Sequence, residues 1–107
     1  MTRFSMEVPA RFREYACDDY FESPGLVDGV WSESEQVWLI VPANEIAERP
    51  ENAFLIVGRP GVDGIEFGYR RGHGGVWAYY PQEARFAYLA ADVQALVDGW
   101  LSGTIKV

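Results

Sequence analysis

Ile65-Glu66-Phe67-Gly68-Tyr69, then Arg70-Arg71-Gly72-His73-Gly74-Gly75, then Val76-Trp77-Ala78-Tyr79-Tyr80 is the stretch that decides the fold of this chain. In its first run Ile65, Phe67 and Tyr69 alternate with Glu66 and Gly68, the period of a strand with one buried face. Its last run is rich in aromatic and β-branched residues and closes at Pro81, which also reads as a strand. The glycine-rich piece between them is a loop. It is far too short for a parallel crossover, which needs about a dozen residues or more, so the two strands must be antiparallel. Working back, Ala53-Phe54-Leu55-Ile56-Val57 is apolar throughout and reads as a buried strand. The segment Arg59 to Gly64, with Pro60-Gly61 and Asp63-Gly64, supplies the turn after it. Arg85 to Tyr88 adds a further short strand after Pro81.

Beyond the meander, a helix is expected from Asp92 to Leu101. Asp92 can cap its N-terminus, and Gly103 is a plausible stop. Leu89, Val93, Leu96, Val97, Trp100 and Leu101 make an apolar stripe that should pack on one face of the sheet. Gly99 costs about 1 kcal/mol of helix propensity relative to alanine, so a close approach is expected there. A second helix is expected over residues 8–22. Pro9 suits its first turn, Phe12, Tyr15 and Ala16 recur at helical spacing, and Ser23-Pro24-Gly25 ends it. Between the helix and the meander, residues 26–36 read as a short strand or loop. Val37-Trp38-Leu39-Ile40-Val41 reads as a strand covered on both faces or lying near the sheet centre, stopped by Pro42. Residues 43–49 read as a short helical turn ended by Pro50. The fold class is α+β: an antiparallel meander of about four to six strands packed against an N-terminal and a C-terminal helix, forming one domain over residues 1–107.

Composition bounds the function. With 49% hydrophobic and 15% aromatic residues, 107 residues suffice for one core without disulfides or metals. One cysteine, Cys17, permits no intrachain disulfide and suits a reducing compartment. Met1 to Ala10 has no apolar run, so neither a signal peptide nor an anchor is expected, and the expected location is the cytoplasm. The net charge is −7. Residues 1–52 carry 4 basic and 11 acidic side chains, whereas residues 53–107 carry 5 of each, so the whole excess lies in the first half. Nucleic acid and anionic membranes would be repelled, while a basic protein partner would be drawn in.

Residues for catalysis are few. Cys17 stands among Ala16, Asp18 and Asp19, an acidic setting that disfavours a thiolate. His73, the single histidine, lies between glycines as a solvated loop residue. No nucleophile elbow is present, and neither Cys-x-x-Cys nor His-x-x-x-His supplies a zinc site. The glycine-rich loops lie between strands and are turn glycines before they are phosphate cradles. The pairs Glu33/Glu35 and Glu45/Glu48 read first as acidic surface rather than as glycosidase carboxylates. No enzyme activity, cofactor or metal is therefore expected.

Binding has better material. Arg59, Arg70, Arg71 and His73 fall in or beside two loops at opposite ends of the middle strand. Trp77 and Tyr79 share the strand face opposite Val76, Ala78 and Tyr80. One of these faces packs under the last helix, and the other is left with aromatics, the material of interface hot spots. Core packing is the ordinary alternative for each of them. Arg59, Arg70, Arg71, Trp77, Tyr79, Glu33 and Glu35 are the candidate partner-binding residues. A small-molecule binder or small enzyme using the aromatic face and the His73 loop is the competing reading.

In its order of elements the chain resembles the SUKH superfamily, the Smi/Knr-like group of bacterial toxin-immunity proteins and fungal cell-wall regulators. The similar pieces are Trp38 to Pro42 with Ile46, Phe54 to Gly58, Asp63 to Tyr69, Val76 to Tyr80, and Leu89 to Leu96 leading to Gly99-Trp100. Val8-Pro9-x-x-Phe12-Arg13-Glu14-Tyr15 is similar to the family's helix start. The chain departs from the family in its short N-terminal region, where Gly25 and Asp28-Gly29 stand for an Asn-Gly-Gly segment. The resemblance implies a non-enzymatic cytosolic protein that masks a cognate toxin, often a nuclease; the acidic first half fits a basic one, and a monomer or weak homodimer is expected. It carries over no catalytic residue.

Overall fold

The computed structural model describes residues 10–22, 24–61 and 63–107, without the side chains of Arg11 and Pro24. Val8 and Pro9, the expected helix start, and the segment before them lie outside the described residues, as do Ser23 and Val62. The chain is α+β. A five-stranded antiparallel sheet runs in sequence order: β1 (Ala47–Arg49), β2 (Phe54–Gly58), β3 (Glu66–Arg70), β4 (His73–Tyr80) and β5 (Arg85–Ala90). A separate two-stranded ribbon precedes it, formed by βa (Val30–Ser32) and βb (Val37–Ile40). The helices are α1 (Asp18–Glu22), α2 (Pro24–Val27) and α3 (Val93–Ser102), with a 3-10 helix over Ala10–Tyr15 before them.

The expected single helix over 8–22 is broken. Ala16 takes a left-handed φ of 54° between the 3-10 helix and α1. On one straight helix Phe12, Tyr15, Tyr20 and Phe21 would point around most of the circumference. The break lets all four enter one core, together with Cys17. The Cys17 thiol donates to the Phe12 carbonyl at 3.6 Å, and the Tyr20 hydroxyl to the Val41 carbonyl at 2.7 Å.

Three further expectations are corrected. Residues 43–49 are not one helical turn: a 3-10 turn covers Ala43–Glu45, and Ala47–Arg49 is strand β1, paired with β2. The apolar run Val37 to Val41 belongs to the ribbon and its end rather than to the sheet, and Leu39 to Val41 are its buried part. Its end crosses the end of β2, where the Val41 N–H donates to the Val57 carbonyl at 2.7 Å. The loop after β3 is only Arg71-Gly72, because His73 already pairs with Arg70.

Helix α3 forms as its signals require. The Asp92 carboxylate accepts the Ala95 N–H at 2.8 Å, and Gly103 ends the helix at a φ of 84°. Val93, Leu96 and Val97 are buried, and Trp100 meets Phe67 edge-on at 5.8 Å. Leu101 departs from the expected stripe and is 72% exposed, and Leu89 belongs to β5. Gly99 admits the returning tail, since a Cβ there would come within 2.5 Å of the Ile105 side chain. On the inner sheet face Leu55, Val57, Phe67, Tyr69, Val76 and Ala78 complete the main core. Among the described residues no helix is long and apolar enough to cross a membrane.

Candidate functional site

Strand alternation sends a second set of residues to the outer face of the sheet. Phe54, Ile56 and Tyr79 are buried there, with Trp77 and Phe86 packed against them, and no described helix residue joins this cluster. A single-layer face buries phenylalanine completely only if neighbouring side chains form its roof. Phe54 has Phe86 at 5.2 Å and Tyr79 at 5.9 Å between ring centres. Beneath, Gly68 leaves room for the Phe54 ring: a Cβ at Gly68 would come within 2.8 Å of Phe54 Cζ.

Arg70, paired across the strands with Phe54, forms part of that roof. Its guanidinium carbon lies 4.7 Å from the centre of the Trp77 ring and 4.2 Å from that of Phe86. Such contacts are worth about 0.5–2 kcal/mol and leave the edge of the guanidinium open. Among the described residues Arg70 has no ion pair or side-chain hydrogen bond. Trp77 is itself held, donating from Nε1 to the Gly74 carbonyl at 3.0 Å. His73 and Tyr88 flank the Trp77 ring at 5.8 and 5.4 Å. Tyr88 is 56% exposed. The result is a braced patch of aromatic rings with one unpaired cation.

The neighbouring arginine is different. Arg49 donates to both oxygens of the buried Glu66 carboxylate, Nε to Oε1 at 2.7 Å and a terminal nitrogen to Oε2 at 2.9 Å. This bidentate bond holds the Arg49 pKa above its ordinary value. Glu66 and Arg49 neutralise each other, so among the described residues the unpaired cation of this face is Arg70.

The structure brings Arg70, Trp77 and Tyr79 together and disperses the other candidates. Arg71 turns to the opposite side, within ion-pair range of Glu14 (3.1 Å) and Glu48 (3.5 Å). It also donates to the Tyr15 hydroxyl at 3.3 Å, while Tyr15 donates to Glu48 at 2.6 Å. Burial, with Glu48 second, pushes the Tyr15 pKa up to about 12. Glu33 and Glu35 stand in the turn of the βa–βb ribbon, exposed. Arg59 is exposed at the start of the loop whose Gly61 would place a Cβ 3.0 Å from Glu35 Cβ.

Cys17 and His73 do not meet. The thiol lies in the inner core, where burial pushes its pKa up to about 11. His73 is exposed on the outer side of the sheet, against Trp77. It lines neither the cleft beside Trp31 nor the one between Asp63 and Val107.

Sequence reasoning passed over Phe86 and Tyr88, which alternation along the strand after Pro81 would have placed on one face, and over the pairing of Arg49 with Glu66, which needs the register of the sheet. It also passed over Trp31, which stands 43% exposed beside a cleft between the ribbon and α3. No known family model, curated protein or solved structure matches the chain.

Proposed function

We propose that this chain is a non-enzymatic protein-binding domain whose outer sheet face contacts its partner, and that it masks a basic toxin in the manner of an immunity protein. The observation that carries the binding reading is Arg70, stacked on Trp77 and Phe86 with no carboxylate partner among the described residues. Arginine and tryptophan dominate hot spots because a large, rigid contact surface is ordered at little entropic cost. Here the ordering is already done by the sheet. An unpaired guanidinium edge beside rings suits a carboxylate or carbonyl of a partner at close range. The surplus of acidic residues in the first half suits a partner that is basic overall, whose approach it would steer.

The toxin part rests on the resemblance to the SUKH superfamily and on the charge. The non-enzymatic part is supported by the separation of the buried, hard-to-ionise Cys17 from the exposed His73. The test is protection: cells expressing any toxin-like protein encoded beside this gene should survive when this chain is co-expressed. The purified pair should bind more tightly than micromolar, and more weakly as salt is raised. Loss of both protection and binding in the native pair would overturn the reading.

A further inference from the structure

We infer that the cleft between the βa–βb ribbon and the end of α3 receives an arginine or lysine side chain of the partner protein; this rests on reading the chain as a protein-binding domain. The cleft holds about 400 Å³ and is walled by Val30, Trp31, Leu39, Trp100 and Leu101. That is within the range of pockets that enclose small chemical groups, about 300–1,000 Å³. Its walls include two of the most exposed large hydrophobic side chains, Trp31 and Leu101. Trp31 is braced before anything binds. Its ring meets Trp38 edge-on at 5.2 Å, and Trp38 fills the space over Gly29, where a Cβ would come within 2.7 Å of the indole.

The rim sets the charge of the occupant. Glu33 lines the cleft, with Ser32 and Ser34 beside it, and among the described residues no lysine or arginine does. Among the described residues the Glu33 carboxylate has neither an ion pair nor a hydrogen bond, and the same holds for Glu35. The turn that carries them is held by its own hydrogen bonds: the Gln36 side-chain Nε2 donates to the Glu33 carbonyl at 2.7 Å and the Gln36 N–H to the Ser32 carbonyl at 2.8 Å. An anionic occupant would be repelled here. A wholly apolar one would strip water from Glu33 and return nothing. A cation on an aliphatic stem meets both demands, its stem against Trp31 and Leu101 and its charge at the Glu33 rim.

The test needs no identified partner. Blocked tripeptides Gly-Arg-Gly, Gly-Lys-Gly, Gly-Leu-Gly and Gly-Glu-Gly, and free spermidine, are titrated into the full chain while the Trp31 indole N–H and the Leu101 methyls are followed by NMR. Saturable shifts with the arginine and lysine peptides are expected. Glu33→Gln should weaken them about two- to fivefold, and Trp31→Ala about fivefold or more. Leu101→Ser, at an exposed position, supplies a second variant if Trp31→Ala fails to fold. Equal binding of the leucine peptide, binding of spermidine as tight as that of the arginine peptide, no saturable shift, or shifts unchanged in these variants would each overturn the assignment. Such failure leaves the outer-sheet reading intact, since that is tested at Arg70.

Discussion

Asp19 and Tyr69, 50 positions apart, are joined by a hydrogen bond in which both Asp19 oxygens lie 2.9 Å from the Tyr69 hydroxyl. One of those oxygens also accepts the Val93 N–H at 2.8 Å, at the first turn of α3. A single carboxylate therefore ties α1, the middle strand β3 and α3 together. Asp19→Ala should cost about 2–3 kcal/mol, because it orphans a buried hydroxyl and removes a charge-assisted bond. Tyr69→Phe should cost about 1–2 kcal/mol, since it removes the donor as well as the need for the acceptor. Urea denaturation of both single variants and the double variant measures the coupling. Strict additivity would show that this bond does not link the elements.

The ribbon and the sheet touch at backbone level. A Cβ on Gly58 would lie 1.9 Å from the Leu39 carbonyl oxygen, and no side chain can move to relieve that clash. Gly58→Ala should therefore cost more than about 3 kcal/mol or prevent folding. Gly25→Ala, with nothing within 4 Å of the new methyl, should change stability by less than about 1 kcal/mol. Thermal melts of the two variants give the contrast directly.

Stability should fall in alkali. Burial raises Cys17 from 9.0 to about 11 and Tyr15 from 10.0 to about 12, and it raises Tyr20 and Tyr69 further still. Below about pH 9 these groups are neutral in both folded and unfolded chains and give no pH dependence. As pH rises above 9.0, the unfolded chain loses protons that the folded chain keeps, so the stability drains away. The urea midpoint should decline from about pH 9 upward. In Cys17→Ala the decline should begin about one pH unit later, where tyrosine takes over. At neutral pH the thiol should react with a disulfide reagent only at the rate of unfolding.

On the outer face, Arg70→Glu should weaken partner binding about tenfold or more while changing stability by only about 1 kcal/mol, since Arg70 has stacking contacts but no ion pair among the described residues. Phe54→Ala, under the same roof, should instead cost about 3 kcal/mol or more of stability. Calorimetry of binding, set beside urea melts, separates a contact residue from a packing residue. A change in stability that accounts for the whole loss of binding would remove Arg70 from the interface.

The meander and α3 were legible because their signals are local. Alternation at Ile65, Phe67 and Tyr69, the Asp92 cap and the Gly103 stop all act within a few residues. The break at Ala16 was not legible, because what fixes it is remote: Asp19 must reach Tyr69 and Val93. The position of βb was hidden for a similar reason. An apolar run such as Val37 to Val41 says that it is buried, and not which strand it pairs with. The pairing of Arg49 with Glu66 depends on the register of β1, a strand whose sequence, Ala47-Glu48-Arg49, has little strand propensity. Trp77 and Tyr79 were legible as one face, whereas Arg70 reads in sequence as a loop residue and in the fold ends β3, stacked on Trp77 and Phe86.

The carboxylate clasp at Asp19 also orders events in time. Residues 10–22 are made before the sheet, yet Tyr69 and Val93, to which Asp19 is tied, are synthesised 50 and 74 residues after Asp19. The aromatic residues Phe12, Tyr15, Tyr20 and Phe21 must wait without their core until the sheet and α3 exist. The hairpins of the meander can close as soon as each is made, because their contacts are short-range. This segment, made before the sheet, is thus seated only after it, and while it waits it is a part that a chaperone would hold.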